Sequence, residues 1–157
     1  MKLKGKKPGT NIEMIILPRG GEDLVFHAKA IDSFDEFEKL CPPPEPPKKI
    51  LPGGEKIENP QDPEFLKSMD NYGAKRLGYM VVKGLAEGTP DLEWEKVKLD
   101  NNTTWHLFRE ELRESGLSDV EVNRLVAGVM KANSLSEIAI EEARRRFLAS
   151  QQAQDES

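Results

Sequence analysis

Eight of the chain's eleven prolines fall between Pro42 and Pro63, and no helix can run through that stretch. Each ring fixes φ and removes an amide donor, so Cys41-Pro-Pro-Pro-Glu-Pro-Pro47 favours polyproline II, a stiff extended spacer without internal hydrogen bonds. A rigid connector is the simpler reading of the run, and a ligand for an aromatic groove the other. The 157 residues, enough for one ordinary domain, are thereby divided. The reading is a flexible basic arm at 1–11, a β-hairpin and short helix at 12–41, the proline-rich connector at 42–61, a helical domain at 62–150, and a disordered polar tail at 151–157.

Ile12-Glu-Met-Ile-Ile-Leu17 and Leu24-Val-Phe-His-Ala-Lys-Ala-Ile31 are rich in strand formers and flank Pro18-Arg-Gly-Gly21, the pattern of a β-hairpin. In the second strand Leu24, Phe26, Ala28 and Ala30 share one face, while His27 and Lys29 share the other. Ser33-Phe-Asp-Glu36 has the spacing of a capping box opening a short helix that carries Phe34, Phe37 and Leu40 inward. Ile50-Leu-Pro-Gly-Gly-Glu-Lys-Ile57 suggests a second tight hairpin. Asp62-Pro63 then opens a long helix expected to reach about Leu85, with Phe65, Met69, Tyr72, Arg76, Leu77 and Met80 forming one stripe. Gly73, Gly78 and Gly84 weaken that helix by roughly 1 kcal/mol each relative to alanine. Packing must hold it, and a glycine-bearing side admits another element closely.

Leu92-Glu-Trp-Glu-Lys-Val-Lys-Leu99 slips its alternation between Trp94 and Val97, so a bulged strand and an extended loop both fit. Three C-terminal helices are expected. Asn101 to Thr104 cap one that carries Trp105, Phe108 and Leu112 inward and ends at Gly116. Ser118-Asp-Val-Glu121 is a capping box before Val122, Leu125, Val126, Val129 and Met130 at helical spacing. Ser134-Leu-Ser-Glu137 is another, opening a helix expected to bury Ile140, Ala143, Phe147 and Leu148, with Glu141 and Glu142 paired to Arg145 and Arg146. The fold class is therefore α+β: an N-terminal β-hairpin and short helix, a connector, a long helix and a C-terminal three-helix unit.

Charge and chemistry mostly exclude. The net charge of −5 is uneven: residues 1–11 hold four lysines and no acid, residues 12–90 ten bases against fourteen acids, and residues 91–157 nine against fourteen. The body thus lacks the basic face that nucleic-acid binding needs. The longest aliphatic run, Met14 to Leu17, is far short of the roughly 20 residues that span a bilayer, and no apolar stretch follows the first lysines as in an export signal. One cysteine, Cys41, excludes an internal disulfide and a multi-thiolate metal site within one chain; beside Glu38 and Glu45 it reads as packing at a helix end. His27 and His106 have no second ligand at metal-binding spacing, and Gly20-Gly21 and Gly53-Gly54 lack the rest of a phosphate loop. Adjacent acids such as Asp35/Glu36 and Glu110/Glu111 diverge by about 100° on a helix and read as solvated faces. No catalytic constellation, cofactor or metal is expected, and the chain reads as a non-enzyme.

Two stretches carry a family likeness. Phe34-Asp-Glu-Phe-Glu-Lys-Leu-Cys-Pro-Pro-Pro-Glu-Pro-Pro47 is one; the other is Leu92-Glu-Trp94 followed by Thr104-Trp105, Gly116-Leu-Ser-Asp-Val-Glu-Val-Asn-Arg124 and Ala132-Asn-Ser-Leu135. Together, over roughly residues 24–148, the chain resembles a group of small tailed-bacteriophage proteins, some of them described as tail assembly chaperones. The resemblance implies a non-enzymatic accessory protein of the host cytoplasm or the virion, binding the phage tape-measure or tail-tube protein before polymerisation. It carries no functional residues across. A structural virion component and a small regulator of a host protein are the alternatives. The expected contact surfaces are the hairpin edge near Met14 and Phe26, and the glycine-bearing side of the long helix near Gly73 and Tyr79.

Overall fold

The structure, a computed structural model, describes residues 1–134 and 137–155. β1 (Ile12–Leu17) and β2 (Leu24–Lys29) pair antiparallel across a turn in which Gly20 adopts φ +75°. α1 (Asp35–Leu40) precedes a small second hairpin of β3 (Lys48–Ile50) and β4 (Lys56–Glu58), turned by Gly53 and Gly54 at φ +110° and +86°. α2 (Pro63–Gly88) follows, then a 3-10 turn (Asn102–Leu107), α3 (Phe108–Glu114), α4 (Asp119–Ala132) and α5 (Glu137–Asp155). The architecture is α+β, with the N-terminal hairpin and the helical region expected from the sequence. Leu92–Leu99 forms no strand.

A two-stranded hairpin is marginal in water by itself. Here β2 lies against α2 and β1 against α4, so Ile15, Leu17 and Ala28 enter the same core as the helices. The approach is as close as backbone allows. A Cβ at Gly84 would sit 3.0 Å from the Lys29 carbonyl oxygen, and one at Gly88 would overlap the His27 carbonyl. Gly78 faces Trp105 in the same way: a Cβ there would sit 3.2 Å from that of Trp105. At Gly78 and Gly84 the expected close approach is thus made by the chain's own elements, whereas nothing approaches Gly73.

Trp105, Tyr79 and Phe37 are fully buried and form the centre of the core. Phe37 stacks on Trp105 at 5.7 Å between centroids, and Tyr79 meets them at 5.3 and 5.2 Å, with Phe34 and Tyr72 at the edge of the group. Such pairs add about 0.5–1.5 kcal/mol each beyond the area they bury. Phe34, just before α1, and Phe37 and Leu40 within it therefore point inward as their spacing predicts, and Cys41 is buried beside them.

Local caps hold in most places. Asp62 accepts from the Phe65 N–H at 3.0 Å ahead of Pro63. Ser118 and Glu121 form both halves of a capping box, and Gly116, at φ +108°, turns the chain after α3. Asn101 caps the 3-10 turn by accepting from the Thr103 N–H.

Four expectations need correction. Ser33 does not cap α1, which starts at Asp35; its Oγ accepts from the Asp35 N–H, and Glu36 turns instead to Lys83 at 3.4 Å. The α2 stripe is buried only in its second half, where Gly78 to Val82 are enclosed, while Met69 is exposed and Arg76 lies over the Phe34 ring at 4.3 Å. Ile140, Ala143, Phe147 and Leu148 do not enter the core: all are exposed, because α2, α3 and α4 already close it. Residues 151–155, expected to be a disordered tail, continue α5, since Gln-Gln-Ala-Gln-Asp contains no helix breaker. The capping box at 134–137 and the end of the tail at 156–157 fall on or include residues outside the described ones.

The arm at 1–11 is exposed apart from Thr10, with a bridge between Leu3 and Lys6. Its end is tied down: Thr10 donates to Asp32, and the Asn11 side chain donates to the Ala132 carbonyl at 2.9 Å. Asn133 completes that tie by accepting from the Ile31 N–H at 2.8 Å.

Gly88→Ala should destabilise the fold by about 1–3 kcal/mol, because neither backbone can give way. Gly73→Ala, with nothing within 4 Å of its Cβ position, should stabilise by about 0.5–1 kcal/mol. Urea unfolding of both variants tests the pair, and equal effects would contradict the packing described. A pH dependence follows from Glu121, whose carboxyl is held below the usual carboxylate range by the Ser118 N–H and the Arg19 guanidinium at 2.8 Å. Its contribution is present above the unfolded-state value and lost as pH falls through the lower folded value. Thermal melts of Glu121→Gln should therefore lose less on acidification than those of the parent chain.

Candidate protein-interaction site

Every residue of β1 but Glu13 is apolar, so one face of the strand must stay uncovered unless a partner supplies the cover. Ile15 and Leu17 take the core, leaving Ile12, Met14 and Ile16 exposed by 55%, 57% and 44%. The backbone of the same three residues is also turned outward. Ala30 donates its N–H to the Asn11 carbonyl, which makes Asn11 and Ala30 a hydrogen-bonded pair. Alternation then assigns the bonds with β2 to residues 13, 15 and 17, and directs the N–H and C=O groups of 12, 14 and 16 to the open edge.

The two edges of the hairpin differ. On β2 the corresponding outward groups of His27 are both met by Thr89, whose Oγ1 accepts from the His27 N–H and donates to its carbonyl, each at 2.9 Å. On β1, none of the turn, loop or side-chain hydrogen bonds of the described residues reaches Ile12, Met14 or Ile16. Beside this edge runs a groove of about 370 Å³ between β1 and α4. Ala127 and Gly128 line it from α4, with Gly128 packed so closely on the Ile15 side chain that a Cβ would overlap it. Arg124 and Lys131 flank it. Lys131 reaches Glu13 at 3.4 Å, whereas Arg124 has no ion pair among the described residues.

A larger cavity of about 650 Å³ is walled by Leu24 and Phe26 of β2 together with Leu92, Trp94, Leu112 and Leu117. Its cations are already committed, Arg19 to Glu121 and Lys96 to Glu110 and Glu114. Glu111, expected on a solvated face, instead ties the 92–99 loop by accepting the Glu95 and Lys96 amides through Oε1, while its buried Oε2 has no partner. Trp94 closes the loop by donating to the Val82 carbonyl at 3.1 Å. Among the described residues no group of three His, Cys, Asp or Glu is placed to hold a metal ion, and no helix is long and apolar enough to cross a membrane.

Of the four residues expected to meet a partner, Met14 stands on the open edge. Phe26 is half-buried on the opposite face, in the larger cavity, because it pairs with Ile15 and not with Met14. Gly73 is exposed to open space. Tyr79 is fully buried in the aromatic cluster and cannot present itself to a partner. Sequence reasoning missed Ile12, Ile16 and Arg124; an apolar strand with two apolar faces was the available signal for the first two. A second exposed apolar surface is α5, where Ile138, Ile140, Phe147 and Leu148 are all exposed and Glu141 pairs with Arg144 and Arg145.

Thr89→Val should cost about 1–3 kcal/mol, since the His27 N–H and carbonyl lose their partner without a change of shape. Amide exchange at His27 should accelerate with it, and unchanged exchange would mean that Thr89 does not close this edge. Comparisons with protein-family models, with curated proteins and with solved structures find no match for this chain.

Proposed function

We propose that the chain is a non-enzymatic bacteriophage assembly protein, a tail assembly chaperone that holds the tape-measure or tail-tube protein before polymerisation. The observation that carries this reading is α5. It is nineteen residues long, every described side chain on it is exposed, and its large apolar groups recur at helical spacing from Ile140 to Phe147 and Leu148. Such a helix gains stability chiefly by laying its apolar side on another element. A tape measure is a long helical chain whose own apolar stripes need temporary cover, so helix-to-helix pairing suits both partners. The likeness of residues 24–148 to small tailed-phage proteins supplies the context, and the acidic body keeps such a complex soluble. A structural virion component is the second reading, favoured by the open edge of β1, which suits joining a neighbour's sheet.

Mass spectrometry of purified particles beside infected-cell lysate separates the two. The chaperone should co-purify with tape-measure or tube protein from lysate and be absent from finished particles; stoichiometric recovery in particles would sink it. Phe147→Asp with Leu148→Asp should weaken partner binding at least tenfold. The melting temperature of the isolated chain should stay unchanged, because Phe147 and Leu148 are exposed and no described side chain of α5 enters the core.

A further inference from the structure

Three features meet at the open side of the hairpin: backbone groups and a guanidinium that have no partner among the described residues, and apolar side chains. We propose that the groove between β1 and α4 captures an extended acidic segment of another protein, which adds to the hairpin as a third strand. Its backbone bonds to Met14 and Ile16, and a carboxylate meets Arg124.

The backbone pattern selects a strand over a helix. Outward N–H and C=O groups at Met14 and Ile16 are offered in alternation, and only an extended partner can match them residue for residue. Six residues of β1 give roughly 20 Å of edge, the reach of a short segment. Protein edges are ordinarily guarded by lysine, proline or a bulge. β1 has none of these, and its one charge, Glu13, is turned to Lys131. The neighbouring edge is plugged by Thr89, so the fold closes one side of the hairpin and leaves the other accessible.

Charge selects the kind of segment. Arg124 and Lys131 stand seven residues apart on α4, about 10 Å along the helix axis, so the cationic rim follows the groove for half the length of β1. Lys131 is already shared with Glu13, which leaves Arg124 as the cation of this rim without an ion pair among the described residues. The same rim argues against two other occupants. The chain's own arm carries four lysines in residues 1–11 and is repelled. A second copy laid edge to edge would bring the Arg124 of both chains toward one seam. Strand capture here is independent of α5, whose removal alters neither the edge nor the groove.

The test uses the full chain, immobilised and panned against displayed random dodecapeptides. Enriched peptides should alternate apolar with polar residues and carry aspartate or glutamate. Arg124→Glu should weaken them at least tenfold, and replacing the peptide's acid by lysine should restore binding to that variant. Met14→Lys should weaken them similarly. Amide exchange at Met14 and Ile16 should slow at least tenfold in the complex while that of Val25 is unchanged. Failure to enrich, or binding that survives both substitutions, overturns the proposal. Protection of Met14 and Ile16 that rises with protein concentration alone would put a second copy in the groove and overturn it equally.

Discussion

The contact on which the rest of this fold depends is backbone against backbone, where α2 lies on β2 at Gly84 and Gly88. Two strands alone cannot bury enough surface to persist in water. Side chains on both surfaces would hold helix and strand about 10 Å apart; without them, the Lys29 and His27 carbonyls come within van der Waals range of the helix axis side. That closeness puts the Thr89 hydroxyl where it can replace a neighbouring strand at His27. It also lets the second half of α2 be covered on several sides, which accounts for the unbroken burial from Gly78 to Val82. Trp105 fits against Gly78 for the same reason, and Phe37 and Tyr79 close around it.

What was legible in the sequence is what is decided within a few residues. Asp62-Pro63, Gly116 and the Ser118 box act through bonds to amides one turn away, and they form as their spacing requires. Ser33 failed because its would-be partner Glu36 has a long-range alternative in Lys83. Periodicity located α5 without saying that the core would have no room for it: an amphipathic stripe records a need for cover, not its source. Tyr79 and Phe26 were misplaced for a related reason, since aromatic residues that suit an interface suit a core equally. Of the groove, only Met14 was readable; its opposite wall is supplied by Arg124 and Gly128, more than a hundred residues further along the chain, and nothing local connects them.

The exposed apolar surfaces are of two chemical kinds, and they sit on parts of the molecule with different mechanical standing. α5 has all its described side chains exposed and offers side chains alone. The edge of β1 is braced by β2 and α4, and offers fixed backbone groups in a set direction. A braced edge loses little freedom on binding, whereas exposed side chains on a helix give up rotamer freedom when a partner orders them. The proline run and the small β3–β4 hairpin carry the chain from α1 to the start of α2 with most of their side chains in solvent, Ile50 and Ile57 among them.

The tie between Asn11 and Ala132 joins positions 121 residues apart, and that between Ile31 and Asn133 joins positions 102 apart. During synthesis, therefore, the hairpin is made long before the helix that holds it. At about 5–20 residues per second, α4 follows β2 after roughly 5–20 s. For that interval both faces of β1, and not only its edge, are open to water. The nascent chain passes through a state stickier than its finished form, and its final closure is a non-local step that waits for α4.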